Sequence, residues 1–161
     1  MTVTVLGAGP WGTALARALA LKGHDVALWS RFPKELQALS ATGRHPHLPE
    51  AVIPGSIRYL SDLREAAERP GFLILAVPSV FTRETVRDFA PYLNPETILI
   101  SAAKGIESQT LMTLTEVIRE ELKEGGRPTV ALSGPTHAEE VAKDLPTLIV
   151  CASPDLDSAR R

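Results

Sequence analysis

The sequence predicts an α/β fold in which a mostly parallel sheet carries helices on both faces. Three observations predict it. Short β-branched or apolar runs alternate with helix-forming segments along nearly the whole chain. Phe72 to Val77 is apolar without interruption, as expected of a strand buried on both faces. A glycine-rich string separates the first strand from the first helix. At 161 residues, 44% hydrophobic and 22% charged, the chain suits one domain with its own core, spanning 1–161.

Thr2 to Leu6 reads as the first strand, and Trp11 to Leu21, rich in Ala and Leu, as the first helix, stopped by Gly23. Asp25 to Trp29 is a strand; Pro33 to Leu39 is a helix with proline in its first turn. Arg44 to Ser56, with three prolines and two histidines, reads as an ordered loop. Ile57 to Leu60 is a short strand, followed by a helix from Ser61, its expected N-cap, to Glu68. After the Phe72 strand come a helix over Ser79 to Phe89, a strand over Thr97 to Ser101 and a helix over Thr110 to Leu122. Gly125 and Gly126 are expected to turn the chain into a strand over Thr129 to Leu132. A helix over Thr136 to Ala142 and a strand over Thr147 to Ala152 follow, and the last residues resemble the first turns of another helix.

Composition excludes several classes. Seventeen basic against 19 acidic side chains, net charge -2, leave no electrostatic footprint for nucleic acid. The apolar runs are too short to span a bilayer, and the N-terminus lacks a signal-peptide pattern. One cysteine, Cys151, excludes an internal disulfide and a Cys-based zinc site, which suits a reducing, cytoplasmic location. Cys151 itself is expected to be a small buried hydrophobe ending an apolar strand.

Gly7-Ala8-Gly9-Pro10-Trp11-Gly12 is a G-x-G-x-x-G string in the context that gives it meaning, after a strand and opening a helix. Gly7 allows the tight turn, Gly9 lets the backbone approach a pyrophosphate, and Gly12 lets helix and strand pack closely. The helix start presents N–H groups to the phosphates, and Pro10 suits its first turn. This context specifies a Rossmann-type, doubly wound sheet. An NAD site normally offers a carboxylate about 20 residues on. The region here reads Trp29-Ser30-Arg31-Phe32, with Asp25 at the wrong end of the strand. Arg31 is placed to pair with a 2′-phosphate and Ser30 to donate to it, so NADP(H) is favoured, with NAD(H) as the other option.

Three further segments occupy the carboxyl rim of the sheet, where ligands bind in such folds. At Pro78-Ser79, Ser79 can cap a helix while the adjoining backbone lines the cofactor. Lys104 stands alone in a small-residue loop; it is either a plain surface lysine or the group that reaches the nicotinamide side and a substrate phosphate. In Ser133-Gly134-Pro135-Thr136, Thr136 either caps the next helix or helps to form a small anion site. His137 is a weak candidate for acid–base work beside the solvated reading. His45 and His47 are too poorly spaced for a metal site, and none is expected.

With these residues in view, the chain resembles the N-terminal domain of bacterial NAD(P)-dependent glycerol-3-phosphate dehydrogenases. The matching strings are GAGPWGTALA (Gly7 to Ala16), LWSR (Leu28 to Arg31), AVPSVFTRETV (Ala76 to Val86), AAKGIE (Ala102 to Glu107) and SGPTHAEEVA (Ser133 to Ala142), in the family's order. The resemblance implies reversible reduction of dihydroxyacetone phosphate to sn-glycerol 3-phosphate for phospholipid synthesis. It implies that Pro10, Trp11, Arg31 and Ala138 contact cofactor, that Gly134 and Thr136 contact substrate, and that Lys104 touches both. Pro10 replaces the family's usual serine, and His137 stands where Phe or Ser is common. The family continues into an all-helical domain that supplies the proton-transferring lysine and most phosphate contacts. By itself this chain is therefore expected to be inactive or nearly so, and the whole protein is a candidate homodimer. Two other readings stay open: a free-standing dinucleotide-binding redox sensor, and a related dehydrogenase acting on a hydroxyacyl-CoA or a sugar acid.

Overall fold

Strand β1 (Thr2–Leu6) lies inside a seven-stranded sheet of order β3-β2-β1-β4-β5-β6-β7. The computed structural model of the chain describes residues 1–69, 71–123 and 129–161. The other strands are β2 (Asp25–Trp29), β3 (Arg58–Leu60), β4 (Phe72–Leu75), β5 (Ile98–Ser101), β6 (Thr129–Ser133) and β7 (Val150–Ala152). Strands β1 to β6 are parallel, and β7 runs antiparallel on β6. The mostly parallel α/β architecture expected of the sequence is the one observed.

The pleat sorts the core. Val3 and Val5 pack in one layer with Leu15 and Ala16 of α1 (Pro10–Leu21) and with Leu36 and Leu39 of α2 (Pro33–Thr42). Leu6 faces the opposite layer, with Ala66 of α3 (Leu63–Glu68), Val86 and Phe89 of α4 (Ser79–Phe89) and Ile118 of α5 (Leu114–Leu122). Leu73, Ile74 and Leu75 of β4 are all buried, as a central parallel strand requires. Each such side chain contributes about 1.5–3 kcal/mol on leaving water. A small-residue cluster joins Ala14 of α1 to Ala142 of α6 (Ala138–Ala142) and to Leu48 and Ala51 of the 44–56 loop.

The chain steps outward from β1 to β2 and β3, then returns to lay β4 on the other side of β1. The order of strands therefore reverses between β1 and β4, and a crevice opens at their carboxyl ends.

Several element ends differ from the sequence reading, each for a local reason. Helix α2 runs on to Thr42, because Gly43, at φ 61°, is the first residue to adopt a left-handed stop. Ser61 does not cap α3; Asp62 does, accepting the Arg64 N–H at 2.9 Å. Ser79 is the first residue inside α4, behind Pro78, and so is not its cap. Helix α5 starts at Leu114 rather than Thr110, because Thr113 and Glu116 form a capping box there. The Thr113 N–H donates to Glu116 at 2.8 Å, while the Thr110 hydroxyl donates to Glu107. Helix α6 starts at Ala138, with His137 rather than Thr136 in the cap position.

The strand ends shift by less. β3 omits Ile57, β4 ends at Leu75, β5 begins at Ile98 and β6 reaches Ser133. β7 is confined to Val150–Ala152. Cys151 on β7 is exposed, not buried, because β7 is a three-residue edge strand whose residues are all exposed. A final helix, α7, covers Leu156–Arg160. The turn expected at Gly125 and Gly126 lies outside the described residues.

Candidate cofactor and substrate site

The glycine loop sits at the crevice. Gly7 has φ 114°, and a Cβ there would lie 2.8 Å from the Ala76 carbonyl oxygen at the end of β4. A Cβ on Gly12 would lie 1.9 Å from the Gly7 carbonyl oxygen, so only glycine lets α1 start this close to β1. Gly9 differs, since a Cβ there would meet nothing within 4 Å. It faces the open space of the cleft. Helix α1 begins at Pro10 with no side-chain cap, so its first N–H groups and positive dipole end stay available to an anion.

The loop forms one wall of a cleft of about 660 Å³. Ala76 to Ser79 form a second wall and Trp29 to Phe32 a third. Gly7, Gly9, Pro10, Trp11, Ser30, Arg31, Phe32, Pro78 and Lys104 thus meet on one cavity, and Gly12 supports it from behind. These residues fit an extended dinucleotide: a long cleft, an uncapped helix start and a glycine with open space before it.

A second cleft, of about 380 Å³, lies between the ends of β5 and β6 and includes Gly134 and Thr136. Trp11, Ala103 and Lys104 line both clefts. The Lys104 Nζ donates to the Thr136 carbonyl oxygen at 2.5 Å and to its hydroxyl at 3.3 Å, and lies 5.8 Å from the Trp11 ring centroid. Trp11 donates its Nε1–H to the Ala102 carbonyl oxygen at 2.8 Å, tying the glycine loop to the Lys104 loop. Thr136 is buried and belongs to the cation's cradle rather than to a helix cap. Ala138 packs in the small-residue cluster and lines neither cleft. His137 is exposed.

The region after β2 holds what sequence reasoning missed. Glu35, in the first turn of α2, lines the cofactor cleft. The Ser30 hydroxyl donates to Glu35 Oε2 at 2.8 Å and accepts the Phe32 N–H at 3.1 Å. Arg31 is not free either, since its guanidinium pairs with Glu84 at 3.0 Å and Asp88 at 3.3 Å, both on α4. The expectation that no carboxylate serves this corner is corrected: Pro33 opens α2, and the third residue of a helix is placed to reach back over its start. That spacing was the available signal.

His45 is buried in the same cleft and accepts the His47 N–H on its Nδ1 at 3.1 Å. Burial first, and then the neighbouring His47, push its pKa below the usual imidazole value. Among the described residues no group of three or more His, Cys, Asp or Glu is placed to hold a metal ion. Among them, too, no helix is long and apolar enough to cross a membrane.

A glycine loop at the switch point of a doubly wound sheet, opening on an uncapped helix, defines a Rossmann-type dinucleotide-binding domain. The sequence profile of the NAD-dependent glycerol-3-phosphate dehydrogenase N-terminus matches residues 2–159, and the chain belongs to that family. It is 48% identical to glycerol-3-phosphate dehydrogenase (NAD(P)+) 2 of Lactobacillus delbrueckii subsp. bulgaricus over 99% of this chain and 48% of that protein. It is 43% identical to the glycerol-3-phosphate dehydrogenase (NAD(P)+) of Moorella thermoacetica over 98% of this chain and 47% of that protein. The crystal structure of glycerol-3-phosphate dehydrogenase from Coxiella burnetii superposes with a TM-score of 0.90 at 33% identity, covering 99% of this chain and 48% of that one. The chain thus spans about half the length of the curated relatives it matches.

Proposed function

We propose that this chain is the cofactor-binding half of an NAD(P)-dependent oxidoreductase that interconverts dihydroxyacetone phosphate and sn-glycerol 3-phosphate in the cytoplasm. The observation that carries this reading is Lys104. It stands where the cofactor cleft meets a second, smaller cleft, with its ammonium on Thr136 and close to Trp11. A domain that only sensed the cofactor would have no use for that second cleft.

The bound nicotinamide supplies the hydride. The chain's own part is to hold and orient. The glycine loop and the start of α1 take the diphosphate, and Arg31, on leaving its exposed partners Glu84 and Asp88, meets a 2′-phosphate, so NADP(H) is held as well as NAD(H). Lys104 stabilises negative charge at the reacting carbonyl oxygen or on the substrate phosphate. Gly134 and Thr136 shape the substrate side. The general acid–base group is assigned to the half of the relatives' length beyond this chain. General acid–base catalysis contributes about 10²–10⁴-fold, so the chain by itself binds without effective turnover.

The test is a titration of the chain with NADPH and with NADH, followed by the fluorescence of Trp11 and Trp29, both on the cleft wall. Saturable quenching that sn-glycerol 3-phosphate then alters supports both halves of the reading. Absence of binding to either nucleotide overturns it.

A further inference from the structure

At the corner of the cleft beyond β2, Arg31 and Glu35 line the cavity, and Glu84 and Asp88 of α4 pair with Arg31 from outside the lining. Glu35 engages the Ser30 hydroxyl through Oε2, and Glu84 and Asp88 hold Arg31 against α4. In this arrangement the two groups best suited to a 2′-phosphate, Ser30 and Arg31, are both engaged by the chain's own acids.

We propose that Glu35, Glu84 and Asp88 determine cofactor preference, opposing the 2′-phosphate of NADP(H) and leaving Glu35 to accept a hydrogen bond from the ribose 2′-hydroxyl of NAD(H). This deepens the cofactor reading above and rests on it. The chemistry follows from charge. Glu35 lines the cleft with Oε1 not used by Ser30, so it can accept from a hydroxyl in the manner of a ribose-binding carboxylate. A phosphate dianion in the same place meets repulsion from Glu35 and an arginine already neutralised. NADP(H) enters only when Arg31 leaves Glu84 and Asp88. That step is easy, because the three side chains are 40%, 56% and 48% exposed and exposed pairs are weak. The preference is therefore a balance: Arg31 draws the site towards NADP(H), and the three acids hold it back.

The two contributions separate by mutation. Glu35→Gln is expected to weaken NADH and strengthen NADPH, moving the ratio of their dissociation constants by about tenfold towards NADPH, as befits a hydrogen bond to a charged group. The double variant Glu84→Gln/Asp88→Asn is expected to tighten NADPH by about two- to fivefold and leave NADH unchanged. Both substitutions of the pair are on the exposed face of α4, so this variant stays folded even if Glu35→Gln does not. Adenosine 2′,5′-bisphosphate against adenosine 5′-monophosphate, titrated in competition, confines the readout to this corner. A ratio that stays within about twofold of the wild type in both variants, with both nucleotides still binding, overturns the proposal and leaves the cofactor reading standing. Failure of the wild type to bind either nucleotide overturns the cofactor reading itself.

Discussion

Arg83 of α4 and Glu107 of the loop after β5 form a bidentate ion pair, Nε to Oε1 and Nη2 to Oε2, both at 2.7 Å. The same guanidinium reaches Glu120 and Glu121 of α5 at 2.6 Å through Nη1, and Arg87 closes the network on Glu121. Glu107 is three residues past Lys104, and α4 begins at the cofactor cleft. The network therefore joins the wall of one cleft to the loop that carries the cation between both.

Arg83→Ala should loosen that loop without touching a ligand. We expect nucleotide affinity to fall by about threefold or more, with Arg83→Lys recovering only part, because lysine cannot reproduce a bidentate fork. Nucleotide titration of the two variants checks this. Equal, undiminished binding in both would show that the Lys104 loop holds its shape without the network.

The same pair predicts a dependence on acid. Arg83 first, and then Thr110, hold the Glu107 pKa down to about 2 from 4.5. The folded state thus binds its proton later than the unfolded state. The stabilisation is complete above about pH 4.5, the unfolded value, and is lost as pH falls towards 2. Thermal melts of wild type and Glu107→Gln should differ at pH 6, and the gap should close through this window. A gap independent of pH would mean that Glu107 acts by packing alone.

Two glycines of one loop should respond in opposite ways. Gly12→Ala drives a Cβ to 1.9 Å from the Gly7 carbonyl oxygen, and overpacking of this kind costs about 1–3 kcal/mol. Gly9→Ala meets nothing, so stability should change by less than about 0.5 kcal/mol. Its methyl group fills the space for the diphosphate instead, so dinucleotide binding should fall at least about tenfold. Denaturant melts and nucleotide titration on both variants separate fold from site. A Gly9→Ala protein that binds normally would place the diphosphate elsewhere.

How far the sequence foretold the molecule depended on the range of the interaction. The glycine loop, its strand and its helix were legible because their requirements are local: a close approach at Gly12 and a proline at the helix start. Helix starts were less legible where two polar residues competed, as Ser61 did with Asp62 and Thr110 with Thr113. Each residue type caps well, and the choice rests on which neighbour answers, such as Glu116 for Thr113. Cys151 was misread because an apolar run does not tell an edge strand from a central one. The pairing of Arg31 with Glu84 and Asp88 joins residues more than fifty positions apart, and no spacing rule foretells it. Glu35 was the avoidable miss, since the first turn after Pro33 was already read as a helix.

His45 should impose a second pH dependence, of opposite chemical origin. Burial favours its neutral form, with a pKa below the ordinary 6.5. As pH falls below 6.5 the unfolded chain takes up a proton that the folded chain resists, so stability falls. His45→Gln, which cannot charge, should melt with a flatter profile between pH 7.5 and 5.5 (about the imidazole range). The same slope in both proteins would assign the effect to another group.

Lys104 offers the sharpest separation of cofactor from substrate. Its ammonium donates to Thr136 and lies near Trp11, so one side chain serves both clefts. Lys104→Met keeps the aliphatic stem and removes only the charge. We expect the fold to persist, because the core layers do not include this residue. NADH and NADPH should each weaken, by less than about tenfold, since the glycine loop still holds the diphosphate. The response of the binary complex to sn-glycerol 3-phosphate should vanish, because the second cleft would retain no ammonium to meet a phosphate or a developing oxyanion. Lys104→Arg should bind nucleotide yet restore that response only in part, as a planar fork does not reproduce a point charge on Thr136. If Lys104→Met left the substrate response intact, the substrate would be held by Gly134 and Thr136 alone, and the cation between the clefts would serve the cofactor only.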